Sequence, residues 1–163
     1  MIDILSQKDD EYGANLIILV GPPGSGKSVY ANKFVNETNT EWIIISPDII
    51  RGELTGDESD QSQNVRVFNR VYSDLVESLD QGFNVIYDAT NCRSIHRHKI
   101  LSAVKGHTNK VICIVFATAM SDCLANNKSR DRVVPEDVIE RMYFTLKKHP
   151  PTIFEGYDAI LKA

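Results

Sequence analysis

The sequence predicts an α/β fold in which a central parallel sheet of five strands is covered by helices on both faces. Short apolar runs recur along the chain without polar alternation, as expected of strands that are buried on both faces. Between these runs lie segments with apolar residues at three- and four-residue steps, a spacing typical of helices that pack by one face. The alternation of the two patterns predicts right-handed crossovers between parallel strands.

Each predicted strand has an apolar centre, and the first one ends abruptly at a Gly-Pro-Pro-Gly turn. The five strands are Asn15 to Val20, Glu41 to Ser46, Phe83 to Tyr87, Lys110 to Phe116 and the less apolar Tyr157 to Leu161.

The clearest helical pattern runs from Gln61 to Leu79. Its apolar positions, which are predicted to form one buried stripe, are Val65, Phe68, Tyr72, Leu75 and Leu79. The other predicted helices are Ser28 to Val35, Ser94 to Val104, Ser121 to Asn127 and Pro135 to Lys147. The last begins with proline followed by acids, as helices often do. Its Tyr143 and Phe144 are predicted to be core residues rather than platforms for nucleic-acid bases.

Length and composition predict one soluble domain over residues 1–163. The chain has 163 residues, of which 42% are hydrophobic and 25% charged, values that are ordinary for a globular protein. Its apolar runs are far shorter than the roughly 20 residues that span a bilayer. Met1 to Asp10 carries acids rather than the basic flank of a secretory signal. These features predict a cytoplasmic protein without a membrane segment.

The net charge of −4 and the pI of about 5.5 argue against a long basic groove that grips many phosphates. Any nucleic-acid contact is therefore expected to be local and to use a few arginines. The cysteines and histidines lack the spacing of metal or redox motifs, so we expect reduced thiols and surface or packing imidazoles. These residues are Cys92, Cys113, Cys123, His96, His98, His107 and His149.

The strongest motif is a phosphate-binding loop that lies between the first predicted strand and a helix. It reads Gly21-Pro22-Pro23-Gly24-Ser25-Gly26-Lys27-Ser28. Glycines allow backbone N–H groups to surround phosphate oxygens, and the following helix contributes its positive N-terminus. Lys27 is expected to reach the β- and γ-phosphates and the Ser28 hydroxyl to bind Mg²⁺. The motif therefore predicts ATP, or another nucleoside triphosphate, and Mg²⁺ as cofactors.

Two acidic positions follow strands and are candidates for catalysis. Asp48, after the second strand, is placed to orient an acceptor hydroxyl and take its proton, and Arg51 three residues later to hold an acceptor phosphate. Asp88 closes the third strand and is predicted to act through Mg²⁺ or a water beside Ser28. The structural alternatives are a helix cap at Asp48, a surface charge at Arg51 and a turn at Asp88.

The polar segment from Asn126 to Arg132 lies between two predicted helices and resembles a lid. Arg130 and Arg132 are candidates to cover the triphosphate and to neutralise charge in the transition state. The alternative is a solvated run of charges between helices.

Together these residues resemble the 5′-hydroxyl polynucleotide kinases of bacteriophages and bacterial RNA-repair enzymes, within the P-loop kinase group. The resemblance runs from Ile17 to about Met142. It rests on the phosphate loop, on Asp48 with Arg51, and on two further segments. These are Asp88-Ala89-Thr90-Asn91 and Arg130, Arg132 with Pro135-Glu136-Asp137-Val138-Ile139.

The resemblance implies a P-loop kinase fold with a helical lid and a role in nucleic-acid repair. Asp48 would be the general base, Arg51 would contact the phosphate next to the reacting nucleoside, and Arg130 and Arg132 would engage the ATP phosphates. The implied acceptor is the 5′-OH end of single-stranded DNA or RNA. The phage enzymes also carry a phosphatase domain with an Asp-x-Asp motif, which we do not expect here. Asn126 stands where many relatives have a basic residue.

Two other functions share parts of this pattern. A small-molecule kinase acting on a nucleoside, sugar, antibiotic or aminoacyl group would use the same loop, aspartate and lid, and the acidic pI favours it. A non-catalytic nucleotide-binding module would bind ATP without transfer. Ala89 rather than glutamate follows Asp88, which disfavours the module. The sequence leaves the choice between ATP and GTP and the oligomeric state open.

Overall fold

The structure, a computed structural model, describes residues 13–163, so the prediction made for Met1 to Asp10 lies outside it. Within this range strands and helices alternate. In chain order they are β1 (Asn15–Val20), α1 (Lys27–Glu37), β2 (Trp42–Ile45), α2 (Pro47–Thr55), α3 (Asn64–Asp80), β3 (Asn84–Tyr87), α4 (Ser94–Val104), β4 (Lys110–Val115), α5 (Met120–Lys128), α6 (Glu136–Lys148), a 3₁₀ helix (Ile153–Glu155) and β5 (Ala159–Lys162). The predicted α/β class and its five strands are confirmed, with strand ends that differ by one or two residues.

All neighbouring strands of the sheet are parallel, in the order β2-β3-β1-β4-β5. β1 is the central strand and is fully buried, which explains its continuous apolar sequence. Its register pairs Leu16 with Val85 of β3 and with Val111 of β4. The carboxyl ends of β1, β2 and β3 therefore lie side by side, at the edge where ligands bind in open α/β sheets.

Apolar side chains cover both faces of the sheet. On one face Leu16 and Ile18 pack in a cluster with residues of α2, α3, α4 and α6. On the other, Ile17 and Leu19 pack with α1. There Phe34 meets Trp42 edge-on with ring centroids 5.2 Å apart. Side chains of a strand point alternately to the two faces of the sheet. Because the side chains on both faces are apolar here, helices must cover both faces.

Two predictions of buried residues are wrong. The buried stripe of α3 consists of Val67, Val71, Leu75 and Leu79, whereas Val65 is 79% exposed. Phe144, predicted as a core residue, is 55% exposed on α6. Both errors arise because the apolar spacing fits more than one helix face, and only the packing partners select the buried one. None of the helices in residues 13–163 has the length and apolar composition needed to cross a bilayer.

Candidate active site

The phosphate loop leaves the carboxyl end of β1 and runs into α1. Gly24 and Gly26 have left-handed backbone conformations, with φ of 78° and 95°, which strongly favour glycine. A Cβ on Gly24 would also collide with the carbonyl of Cys123 in α5. The sequence folds locally into this loop because residues with side chains would strain both positions.

The start of α1 is suited to an anion. Its N-cap residue is Gly26, which provides no side-chain cap, and its first turn contains no acidic residue. The first N–H groups of a helix have no partner within the helix, and the helix dipole adds positive charge there. The loop and helix therefore fit a triphosphate.

Lys27 lies against the phosphate loop. It is only 7% exposed, and its Nζ donates to the Pro22 carbonyl at 2.8 Å and to Ser25 Oγ at 3.3 Å. Burial lowers the pKa of Lys27, while the nearby charge of Asp88 opposes this shift. Phosphate oxygens bound at the loop would place further negative charge beside this buried ammonium group and so favour its charged form.

Asp88 and Ser28 lie together beside the lysine. Asp88 follows β3, is 9% exposed, and its backbone N–H donates to the Ile45 carbonyl of β2 at 2.9 Å. Burial raises the pKa of Asp88, and a hydrogen bond from the Ser28 side chain and the charge of Lys27 oppose the increase. A hydroxyl and a carboxyl in contact fit Mg²⁺, which uses few protein ligands together with substrate phosphates.

Asp48 occupies the first turn of α2, directly after β2. Its side chain is 49% exposed, and two arginines contact the same carboxylate oxygen. Arg51 Nη1 lies 2.6 Å and Arg132 Nη1 lies 3.2 Å from Asp48 Oδ1. Both of these contacts are made to Oδ1. The charge of Asp48 also raises the pKa of Asp88, so the two carboxyl groups are near enough to interact.

Arg51 is more deeply buried than expected of a residue whose only role is to bind an acceptor. It is 4% exposed, and besides Asp48 it donates to the Glu58 carbonyl and to Asn64 Oδ1, each at 3.2 Å. Its Nε is buried without a partner among the described residues. Arg51 thus connects α2 by hydrogen bonds to the segment that follows it and to the start of α3. Its contact with an acceptor phosphate remains a prediction.

The predicted lid comprises the end of α5 and residues 129–134. Asn126 Nδ2 donates to the Gly24 carbonyl at 2.9 Å, which joins the lid to the phosphate loop. The buried Asn127 makes two hydrogen bonds with the backbone of Val134, at 2.8 and 3.0 Å, and so closes the lid segment on itself. Asn126 stands where the resemblance implies a basic residue. Its uncharged side chain instead makes a hydrogen bond to the loop.

The two lid arginines have different surroundings. Arg132 contacts Asp48, on the side predicted for the acceptor. Arg130 is exposed, and its charge lowers the pKa values of Lys27 and Asp88, on the side of the phosphate loop. The sequence predicted that both would cover the triphosphate, and this role remains a prediction for each of them.

Two buried polar residues behind the site were assigned no role from the sequence, although Asn91 stands in a segment that carries the resemblance. Asn91 has a left-handed φ of 48°, and its Nδ2 donates to the Leu19 carbonyl at 2.8 Å. Arg97 is fully buried and donates to the carbonyls of Asn91 and Cys92 at 3.2 and 3.3 Å. A polar residue soon after a strand was a weak signal for Asn91. Arg97 lies among polar residues in α4, and this pattern gave no signal that its side chain would be buried.

Comparison with known protein families gives one match that covers most of the chain. The profile described as an AAA domain matches residues 16–149, a range that includes the loop, both aspartates and the lid. The L-seryl-tRNA(Sec) kinase of Methanococcus maripaludis is 29% identical over 131 residues, which cover 78% of this chain and 51% of that protein. The chain therefore spans about half the length of this curated relative.

Solved structures share the fold. A chain of the Pnkp1/Rnl/Hen1 RNA repair complex superposes with a TM-score of 0.77 at 24% identity, over 88% of this chain and 47% of that chain. A gluconokinase from Sinorhizobium meliloti superposes with a TM-score of 0.56 at 15% identity, over 91% of this chain and 81% of that chain. At these identities the likeness concerns the fold alone.

Proposed function

Because this chain belongs to the AAA domain family and has a P-loop kinase fold, we propose that it transfers the γ-phosphate of ATP to the 5′-OH end of DNA or RNA. The observation that carries this proposal is the position of Asp48. It is half exposed, is held by Arg51 and Arg132, and lies near enough to Asp88 for the two charges to interact. A carboxylate placed in this way is suited to activate a hydroxyl next to a bound triphosphate.

In the proposed reaction the acceptor hydroxyl gives its proton to Asp48. The acceptor oxygen forms a bond to the γ-phosphorus, and the bond from that phosphorus to the β–γ bridging oxygen breaks, so that ADP leaves. Arg51 and Arg132 orient the carboxylate through Oδ1. Lys27 and Arg130 supply positive charge on the phosphate side, where it stabilises the transition state.

Ser28 and Asp88 are the residues that would hold Mg²⁺ in this scheme. Bound there, the metal would neutralise charge on the phosphates. The protein's own contribution is mainly positioning, because phosphoryl transfer needs little covalent chemistry from the enzyme. Lys27 stays over the loop through its bonds to Pro22 and Ser25, where a phosphate would replace these contacts.

Two lines of support favour a nucleic-acid acceptor. The residues of the loop, Asp48 with Arg51, Asp88 and the lid arginines occur in the order found in polynucleotide kinases, and the structure brings them to one edge of the sheet. The curated relative is named as a kinase of seryl-tRNA, a molecule that contains nucleic acid, although that name does not point to a 5′-OH end. An acidic chain that recognises only the end of a strand needs few phosphate contacts.

A second candidate is a kinase for a small or aminoacyl hydroxyl. The name of the curated relative and the shared fold of a gluconokinase favour it, because the same Asp48 geometry would serve any primary hydroxyl that reaches it. A non-catalytic nucleotide-binding module is the third candidate.

The test is transfer of label from γ-labelled ATP with Mg²⁺. The acceptors are a single-stranded 5′-OH oligonucleotide, the same strand with a 5′-phosphate, a nucleoside, and seryl-tRNA. Label on the 5′-OH strand alone is the expected result. Label on the nucleoside or on seryl-tRNA alone would replace the proposal with the second candidate, and ATP binding without transfer to any acceptor would favour the module.

A further inference from the structure

A surface cleft of about 590 Å³ lies between the start of α4 and the second half of α6. We call it the α4–α6 groove. The residues that define it are Arg93, Ile95, Arg141, Phe144, Lys148 and His149. None of them belongs to the proposed catalytic machinery.

The groove is positively charged although the chain carries a net charge of −4. Three of its side chains are cationic, and no acidic side chain is among the residues that line it. Arg141 is also paired with the exposed Asp137 one turn earlier on α6, at 3.6 Å, a surface contact that a phosphate would compete with. The larger cleft, of about 640 Å³, has the opposite character, because Glu77 and Asp80 line it along α3. Burial and the charges of Arg93 and Lys99 lower the pKa of His96, next to the groove. The groove therefore carries a local excess of positive charge.

The groove also exposes large apolar side chains. Ile95 is 49% and Phe144 is 55% exposed. The Phe144 ring meets Tyr143 edge-on with ring centroids 5.7 Å apart, so a neighbouring ring supports it. An exposed aromatic ring among cations is the combination with which proteins bind single-stranded nucleic acids, because bases stack on the ring and phosphates contact the cations.

The position of the groove links it to the active site. α4 follows β3, so its first turn lies at the same edge of the sheet as Asp88. α6 begins just after the lid, and Arg141 lies roughly 7.5 Å along its axis from Glu136 at 1.5 Å per residue. The buried Arg97 joins the two walls, since it donates to the His149 carbonyl at 3.1 Å and to the Asn91 carbonyl at 3.2 Å.

We infer that the α4–α6 groove binds a single-stranded stretch of the nucleic acid whose end is phosphorylated. Arg93, Arg141 and Lys148 contact backbone phosphates, and one base stacks on Phe144. This inference rests on the proposed function and names a second contact for the same substrate. It also explains how an acidic chain can hold a strand, since the binding charge is confined to one groove.

The test measures binding directly, without catalysis. A fluorescein-labelled oligothymidylate is titrated with wild-type protein, with the double variant Arg141→Ala/Lys148→Ala, and with Lys33→Ala/Lys105→Ala as a control that loses the same charge elsewhere. We expect the groove variant to bind at least about tenfold more weakly. The plot of log K against log salt concentration should also become shallower, with the magnitude of its slope smaller by about 1.4 for two lost phosphate contacts. The control should bind like the wild type. Thermal unfolding checks that each variant is folded.

Phe144→Ala separates a nucleic acid from other polyanions. We expect it to weaken binding of oligothymidylate but not of an abasic strand of equal length, because only the former has bases to stack. Equal binding by the groove and control variants would overturn the inference, as would equal effects of Phe144→Ala on both strands.

Transfer assays test the binding of nucleic acid in the groove separately from the proposed kinase activity. If the chain is a polynucleotide kinase, the groove variant should raise KM for the oligonucleotide while transfer to a nucleoside 3′-phosphate is unchanged. Groove-dependent binding without transfer by the wild type would count against the kinase proposal and still support the groove.

Discussion

Asp48 is the single side chain on which the proposed chemistry depends most. Arg51 and Arg132 share its Oδ1, at 2.6 and 3.2 Å. Because Arg51 is buried and is also bonded to Glu58 and Asn64, it holds the carboxylate in a fixed direction.

We predict that Asp48→Asn lowers phosphate transfer by about 10²- to 10⁴-fold, the usual contribution of a general base. ATP affinity should be unchanged, because the loop, Lys27 and Ser28 are intact. Single-turnover transfer and calorimetric ATP binding measure the two effects. Asp57→Asn, at an exposed acid of the following segment, is the control. Transfer by Asp48→Asn at the wild-type rate would show that Asp48 is not the base.

We predict that Asp88→Asn stabilises the protein without nucleotide while it lowers Mg²⁺-dependent transfer. Burial raises the native-state pKa of Asp88, so the native state binds more protons than the unfolded state as the pH rises through that range. Wild-type stability therefore falls with pH there, and an uncharged amide side chain at this position avoids the loss.

Thermal unfolding of both proteins from acidic pH to pH 8 tests this prediction, with Glu41→Gln as a matched loss of one exposed carboxylate. The advantage of Asp88→Asn should grow as the pH rises and then level off above the native-state pKa. An advantage that shrinks with rising pH would contradict the assigned cause.

At the scale of elements, hydrogen bonds from asparagine side chains to the backbone hold the lid segment. Asn127 bonds both backbone groups of Val134, and Asn126 bonds Gly24. These contacts place Arg132 on Asp48 and keep α5 against the phosphate loop. The lid conformation therefore depends on a few hydrogen bonds.

We predict that Asn127→Ala destabilises the protein by about 1 to 3 kcal/mol, because the Val134 N–H and carbonyl lose buried partners. Transfer should fall as Arg130 and Arg132 lose their positions, and ATP binding should weaken less. Urea unfolding, hydrogen exchange of residues 128–134 and steady-state kinetics measure these effects. The exposed Asn126→Ala serves as the control and should cost less. Unchanged exchange in the lid of Asn127→Ala would contradict this role.

For the molecule as a whole, Arg97 joins three distant parts of the chain. Its Nε and Nη2 donate to the two carboxylate oxygens of Glu155, each at 2.8 Å, and it also contacts the end of α6 and the loop after β3. The side chains of Arg97 and Glu155 are 0% and 9% exposed. The ion pair therefore ties the segment before β5 to the loop behind the active site.

We predict that Glu155→Ala destabilises the fold by about 3 to 5 kcal/mol, because it leaves the buried guanidinium without a counter-charge. The double variant Arg97→Met/Glu155→Leu should recover much of this loss. Asp74→Ala, which breaks the ion pair with Arg70 on the surface of α3, should cost less than about 1 kcal/mol. Urea unfolding of all four proteins measures the free energies. A loss at Glu155 no larger than at Asp74 would refute this account.

The strand pattern, the phosphate loop and the order of the acidic residues could be predicted from the sequence because each depends on local chemistry. Apolar runs mark buried strands, and the glycines of the loop are needed where φ is positive. Asp48 and Asp88 follow strands, and parallel strands bring such positions to one edge. The sequence thus determined the fold class and the residues that meet at that edge.

Only the tertiary structure decided which partners these residues have. The contact of Arg132 with Asp48 joins positions far apart in sequence, as does the pairing of Arg97 with Glu155. The buried face of α3 and the exposure of Phe144 depend on which helices pack beside them. Helical spacing specifies that a face is apolar, whereas the neighbours that cover it are set by the path of the whole chain.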